Sequence, residues 1–399
     1  MSAAKPPSGK GGPAAKFAKD PLIDSLEAEL RERIIARPPG ILPLHFDPLD
    51  PALGVGDFVQ LGLPPRPIDP AALQLWLEMI PRNLKFVSPF PEERVLFRTD
   101  MAVGLAYGAA NGDRDDDAGN ASPGTISRGR LGSSRNWSGA AIFANQGNRF
   151  VQVIGSWTVP EVRPGIGEGP WVCSTWIGID GLRRWMKSMP QMGTTQVVGD
   201  TGESLPQYFA WWQWWLRGRT LQVPVVLPPA IGPGKKVFCC VTLLPPDQPN
   251  PGDRHNVQFF LSVDGVGTSL EVHAPPSNDP LADVDGRAGV PARGSSAEWI
   301  LERPTALCDS PNGNVKENDL FPLPDFGSAG IDGFAASLAP DPDPAVLAWV
   351  QASLITPAVN FRTPIKLRMM EHRREPSRMA VIAKPVEAED GKVTVVYKE

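Results

Sequence analysis

Cysteine and histidine are scarce, with four of each in 399 residues. Cys173, Cys239, Cys240 and Cys308 contain no Cys-x-x-Cys pair, and His45, His255, His273 and His372 are too dispersed to read as a zinc site, so no metal is expected. In a strand, adjacent Cys239 and Cys240 face opposite sides, and at most one meets any given partner. The thiols are expected to be structural and buried, with a disulfide only if the chain is exported. Long apolar runs are missing as well. Nothing approaches the ~20 residues of a membrane span, and Met1–Lys19, made mostly of Ala, Pro, Gly, Ser and Lys, lacks the apolar core of a signal peptide. The sequence therefore predicts no membrane partner and a product that starts in the cytoplasm, with non-classical secretion as the alternative route.

Charge of one sign is also lacking. A net charge of -5 with scattered Lys and Arg and no basic stripe excludes a nucleic-acid partner. No Gly-x-Ser-x-Gly elbow occurs, Gly165–Gly169 does not lead from a strand into a helix, and Asp325-Phe326-Gly327 has no phosphate loop or catalytic loop to accompany it. The acidic run Asp113, Asp115, Asp116 and Asp117 fails as a calcium loop, because Ala118 stands where Gly is required and Gly124 where a bidentate Glu is required. Conventional nucleophilic hydrolysis has no support.

What the chain has in abundance is proline (45), glycine (39) and tryptophan (12). Helical periodicity is confined to short stretches, and from residue 136 onward alternating or apolar runs are separated by turn residues, which predicts an all-β, antiparallel β-sandwich. Expected strands include 136–143, 150–159, 172–179, 196–198, 207–216, 221–227, 236–244, 256–263, 269–272, 297–302, 365–370, 378–382 and 393–397. Residues 1–19 read as a disordered tail, 20–110 as a small helical N-terminal extension, 111–135 as a flexible linker and 136–399 as the sandwich domain. Two helices are expected in the extension, each announced by Asp-Pro: one carrying Ile23, Leu26, Leu30 and Ile34, the other carrying Leu73, Trp76, Leu77 and Ile80. A third, with Val346, Leu347, Val350 and Leu354, interrupts the strands. The Trp residues cluster between Trp171 and Trp215, which suits an aromatic-lined groove or a core sheet face equally.

Two stretches stand out, Met189–Thr194 and Ser295–Ile300. Each sets one long polar side chain, Gln191 or Glu298, beside Trp, Met or Ile in a strand-like segment, where a buried polar group needs a partner and a buried carboxylate needs more. The ordered series Asn136–Ala140, Gly155–Pro160, Trp176–Gly181, Pro190–Thr194, Tyr208–Trp212, Ala297–Glu302 and Asp325–Gly327 resembles the glutamic peptidase (eqolisin) family over roughly two thirds of the chain. The resemblance implies two curved antiparallel sheets packed as a lectin-like (concanavalin-like) jelly roll. It also implies an endopeptidase whose catalytic dyad is Gln191 and Glu298, with Trp137, Trp176 and Asp180 lining the cleft as substrate-binding or supporting residues.

In such a dyad the Glu298 carboxylate takes a proton from the attacking water and returns it to the departing amine, while the Gln191 amide orients the water and donates to the oxyanion. No cofactor or metal is needed, and a monomer acting on a polypeptide substrate is expected. The family's usual Tyr-Asp-Ala-Trp-Tyr-Glu pattern is altered here, with Phe209 and Gln213 at the two acidic positions. With carboxylates protonated, 39 Lys and Arg and 4 His would leave the chain strongly positive and self-repelling. A mildly acidic working range follows. The extension before residue 111 is a candidate propeptide, with 111–135 as its cleavage region. The alternative to an enzyme is a non-catalytic sandwich that binds peptide or carbohydrate in a Trp-rich groove.

Overall fold

A computed structural model describes residues 28–29, 31–35, 42, 45–67, 70–81, 84–89, 97–98, 106–107, 131–144, 148–182, 186–199, 206–217, 224–244, 256–275, 290, 292–306, 320–340, 365–373, 378–389 and 392–398. The tail, most of the 111–135 linker, Trp185, Cys308 and the helix expected near residue 346 lie outside the described residues.

Ten long strands make two packed sheets. They are β1 (Trp137–Phe143), β2 (Asn148–Thr158), β3 (Trp171–Ile179), β4 (Ser188–Val198) and β5 (Gln207–Leu216). They continue with β6 (Lys236–Leu243), β7 (Asn256–Val263), β8 (Val266–His273), β9 (Ser296–Glu302) and β10 (Ser328–Pro340). The first sheet runs β5-β4-β3-β9-β1 and the second β10-β2-β6-β7-β8, antiparallel throughout. Short alternating runs with Gly and Pro turns specify such sheets, because one face of each strand must be apolar to meet the other layer. The strand Ile365–Arg373 extends the first sheet beside β1 and then pairs with Arg378–Glu389, which leads through Lys392–Tyr397 to β10. The fold is therefore the expected all-β sandwich.

The core between the sheets interleaves Ile177, Ile179, Met192, Trp212, Trp214 and Trp299 of the first sheet with Val153, Trp157, Cys239, Val241, Phe259 and Leu261 of the second. Cys239 faces this core and Cys240 the opposite side, as adjacent strand residues must. Cys173, Cys239 and Cys240 are free and buried, and burial pushes each thiol up, Cys240 to about 12, so they behave as apolar filling.

The extension contributes α1 (Val55–Gln60) and α2 (Pro70–Met79). The spacing of Leu73, Trp76 and Leu77 predicts α2. The short α1 is not legible by periodicity and is held at its start by Asp57, whose carboxylate accepts the Gly54 N–H at 2.8 Å. Phe58, Leu63, Trp76 and Met79 pack on Ile154, Cys240, Phe260 and Ala335, the outer face of the second sheet. The segment joining the helices is rich in proline and short of N–H donors, but its carbonyls still need partners. Gln258 donates to the Leu63 carbonyl at 3.0 Å, Trp76 to that of Pro64 at 3.0 Å and Gln152 to that of Pro65 at 2.8 Å.

The expected first helix ends earlier than its periodicity predicts. Ile34–Ile35 is strand, paired with Glu271 and Val272 of β8, because an open sheet edge offers two hydrogen-bonded partners that outweigh a weak helical preference.

Candidate active site

Strand register brings the two singled-out residues into one row. Glu298 of β9 is opposite Gly178 of β3, Gly178 is opposite Gln191 of β4, and Gln191 is opposite Gln213 of β5. Residues in register share a face, so Glu298, Gln191 and Gln213 all project from the outer side of the first sheet, and Gly178 contributes no side chain between the first two. Two strand spacings, about 9.5 Å, separate the backbones of Glu298 and Gln191, a span that a water and a carbonyl group bridge. The helices α1 and α2 lie on the far face of the second sheet, a full sandwich thickness away.

The row is buried: Glu298 and Gln191 are each 0% exposed and Gln213 is 3% exposed. Glu298 Oε1 accepts the Gly181 N–H at 3.1 Å. Burial pushes its carboxyl from an ordinary 4.5 up to about 8. The nearby Ser296 hydroxyl opposes that rise, the Asp180 carboxylate adds to it, and the Gly181 and Leu182 N–H groups oppose it further. Glu298 therefore holds its proton more tightly than a solvated Glu. Gln191 donates from Nε2 to Gln213 Oε1 at 3.0 Å.

Asp180 has a different place from the dyad. It adopts φ 75°, and its carboxylate accepts the N–H groups of Arg293, Gly294 at 2.9 Å and Ser295 at 2.6 Å, together with the Ser295 hydroxyl at 2.9 Å. Burial pushes its carboxyl up while these bonds pull it down. Asp180 thus ties the end of β3 to the turn that feeds β9, and so fixes where Glu298 stands relative to Gly178.

Trp137 and Trp176 are also on this face, fully buried and packed edge to face at 4.9 Å between rings. Trp176 Nε1 donates to Glu302 Oε2 at 2.8 Å, and Asn136 Nδ2 donates to Glu302 Oε1 at 3.3 Å. In this structure the two indoles form a packed floor beside the row. The Trp cluster divides by alternation: Trp211 and Trp215 belong to this face, Trp212 and Trp214 to the core between the sheets. These four Trp residues and Trp176 are packed as core, and no exposed aromatic groove occurs among the described residues.

Asp325-Phe326-Gly327 is a turn, with Asp325 Oδ1 accepting the Gly327 N–H at 2.8 Å. Among the described residues no group of three or more His, Cys, Asp or Glu is placed to hold a metal ion. A surface cavity of about 550 Å³ between Thr158, Glu161, Gly234 and Asp332 lies elsewhere, at the edge of the second sheet, and gathers no catalytic constellation.

Residues 135–246, from the turn before β1 to just past β6, match the model of the peptidase A4 family. That segment of the chain is similar to the peptidase A4 family. The match supports a hydrolase of the glutamic peptidase type, whose substrate class is polypeptide. Among solved structures it is similar to scytalido-glutamic peptidase with a transition state analog inhibitor, at 15% identity and TM-score 0.42, covering 66% of this chain and 98% of that one. It is also similar to SCP-B, a member of the eqolisin family in complex with a tripeptide, at 16% identity and TM-score 0.40, over 66% and 98% of the two chains. An alginate lyase in complex with an alginate trisaccharide follows at 7% identity and TM-score 0.20, over 41% and 73%. A comparison with curated protein sequences finds no match.

Gly178, Gln213, Ser296 and Glu302 were not singled out as site residues by sequence. Gln213 was visible only as a lost acid, although the alternation of Trp211, Gln213 and Trp215 already set it on one face. Gly178 tests the row directly. A Cβ there would sit 3.0 Å from the Trp176 ring, 3.1 Å from Gln191 Cβ and 3.2 Å from the Pro190 carbonyl oxygen. Gly178→Ala is expected to fold with a stability loss of about 1–3 kcal/mol and to lower kcat about 10-fold by displacing Gln191. Urea unfolding and steady-state kinetics measure the two effects separately.

Proposed function

We propose that this chain is a glutamic-type peptidase that cleaves internal peptide bonds of unfolded or flexible polypeptides through Gln191 and Glu298, by direct attack of water. The supporting observation is the shared row: two polar side chains on one buried sheet face, flanking a residue that has no side chain. Water adds to the scissile carbonyl carbon, and its proton passes to the Glu298 carboxylate. The carbonyl oxygen becomes an oxyanion that the Gln191 N–H stabilises. Glu298 then gives the proton to the amide nitrogen as the C–N bond breaks, so the enzyme returns to its starting state without a covalent intermediate. The present burial of the row means that substrate must open this face to reach it.

The base form of Glu298 sets the acid limb of activity. Burial is the largest cause of its raised pKa, and admitting substrate and water relaxes that cause, so the limb is expected between 4.5 and about 8. This window overlaps the mildly acidic range expected from sequence and extends it toward neutrality. Incubating the full chain with a denatured protein across about pH 3 to 9 measures it. Cleavage with an acid limb in that window supports the dyad. A chain inert at every pH would overturn the reading and favour a binding protein.

A further inference from the structure

We infer that Gln213 is the positioning residue of this site, holding the Gln191 carboxamide in its working plane from the neighbouring strand. The inference rests on the dyad reading and adds a residue that the altered Tyr-Phe-Ala-Trp-Trp-Gln stretch presented only as a missing acid.

Gln213 is directly opposite Gln191, and the two side chains share a face and meet at 3.0 Å between Nε2 and Oε1. Cross-strand neighbours in an antiparallel pair are close enough for such a bond without strain. A glutamine side chain has three rotatable bonds, and its amide must face the reacting atoms within tens of degrees to be useful. Committing one N–H of Gln191 to a buried acceptor fixes the plane of the group before substrate arrives. Restricting it in advance removes an ordering cost from the transition state.

The chemical identity of the anchor matters too. An amide oxygen accepts the bond with no charge, whereas a carboxylate adds one. The described carboxylates of this face are Glu298, Asp180 and Glu302, and Asp180 already raises the Glu298 pKa. Gln213 therefore orients the amide without adding to the negative charge that Glu298 must work against. A Glu at 213 would keep the acceptor and bring a further charge into the row.

The test compares kcat, KM and the pH profile of the full native chain with Gln213→Leu and Gln213→Glu, on the same denatured protein substrate. Gln213→Leu is expected to lower kcat about 10- to 100-fold with KM changed by less than about threefold. Gln213→Glu is expected to retain kcat within about fivefold and to move the acid limb to higher pH, a readout that a merely structural role would not shift. If Gln213→Leu does not fold, the Gln213→Glu profile carries the test alone. Native kcat in Gln213→Leu, or an acid limb unmoved in Gln213→Glu, overturns the inference while leaving the dyad intact. An inert native chain overturns the dyad and this inference together.

Discussion

Glu298→Gln is expected to abolish cleavage and, at neutral to alkaline pH, to yield a protein more stable than the native chain. Loss of the proton-transferring group removes about 10³- to 10⁴-fold of rate, since an amide neither takes nor returns a proton. The stability effect has the opposite sign and a definite pH window. Glu298 titrates at 4.5 when solvated and at about 8 when folded. Between those values the unfolded chain has released this proton and the folded chain still holds it, so stability falls as pH rises through the window. Below 4.5 the group is protonated in both states and costs nothing. A Gln at 298 carries no proton and escapes the penalty, so the variant gains over the native chain progressively from pH 4.5, on the order of a few kcal/mol by pH 8. Denaturant unfolding at several pH values reads this directly. A native chain as stable as the variant at pH 8 would show that Glu298 is not buried as described.

Gln191→Ala is expected to cost activity on a similar scale and to move stability the other way. Removing a preorganised donor at a developing oxyanion costs about 10²- to 10³-fold in kcat. The truncation also leaves a cavity in the outer face of the first sheet and deprives Gln213 Oε1 of its 3.0 Å donor, each at 0–3% exposure. A buried acceptor stripped of its partner costs about 1–3 kcal/mol. The pair of variants therefore separates chemistry from packing. Both lose turnover, but one is expected to unfold later than native at pH 8 and the other earlier. Loss of stability in both would mean that the row is simply core.

The sandwich was legible because a strand repeats every two residues, and Lys236–Leu243 or Asn256–Val263 reads as strand from its own side chains. Gln191 and Glu298 were legible because polar residues among Trp, Met and Ile demand a reason. Their juxtaposition was not. It depends on β9 entering between β1 and β3, an order that no local pattern records. The start of β4 was also hidden. Met189–Thr194 read as strand-like, but the expected strand began only at Gln196. In the structure β3 stops pairing at Gln191, and Pro190 and Met189 have only β5 beside them, a local edge where a missing N–H is tolerated. Trp212 and Trp214 against Trp211 and Trp215 make a similar case: the sequence showed the alternation, and only the second sheet showed which face met Phe259 and Trp157 and which packed on the opposite side.

The insertion of β9 has a consequence for how such a molecule is made. Gly181 and the Glu298 carboxylate that it steadies are 117 residues apart in sequence, and β9 closes the row only after the chain between them has been made. Contacts so distant form late, after the loop-closure cost of the intervening chain has been met. A nascent or partly unfolded chain therefore carries Gln191 on one ribbon and Glu298 on another, and by the proposed mechanism it is unarmed. The unfolded polypeptide nearest to any newly made copy is the copy itself. On the proposed dyad, completing the row with a strand from the last third of the chain spares the molecule's own synthesis intermediates from its chemistry.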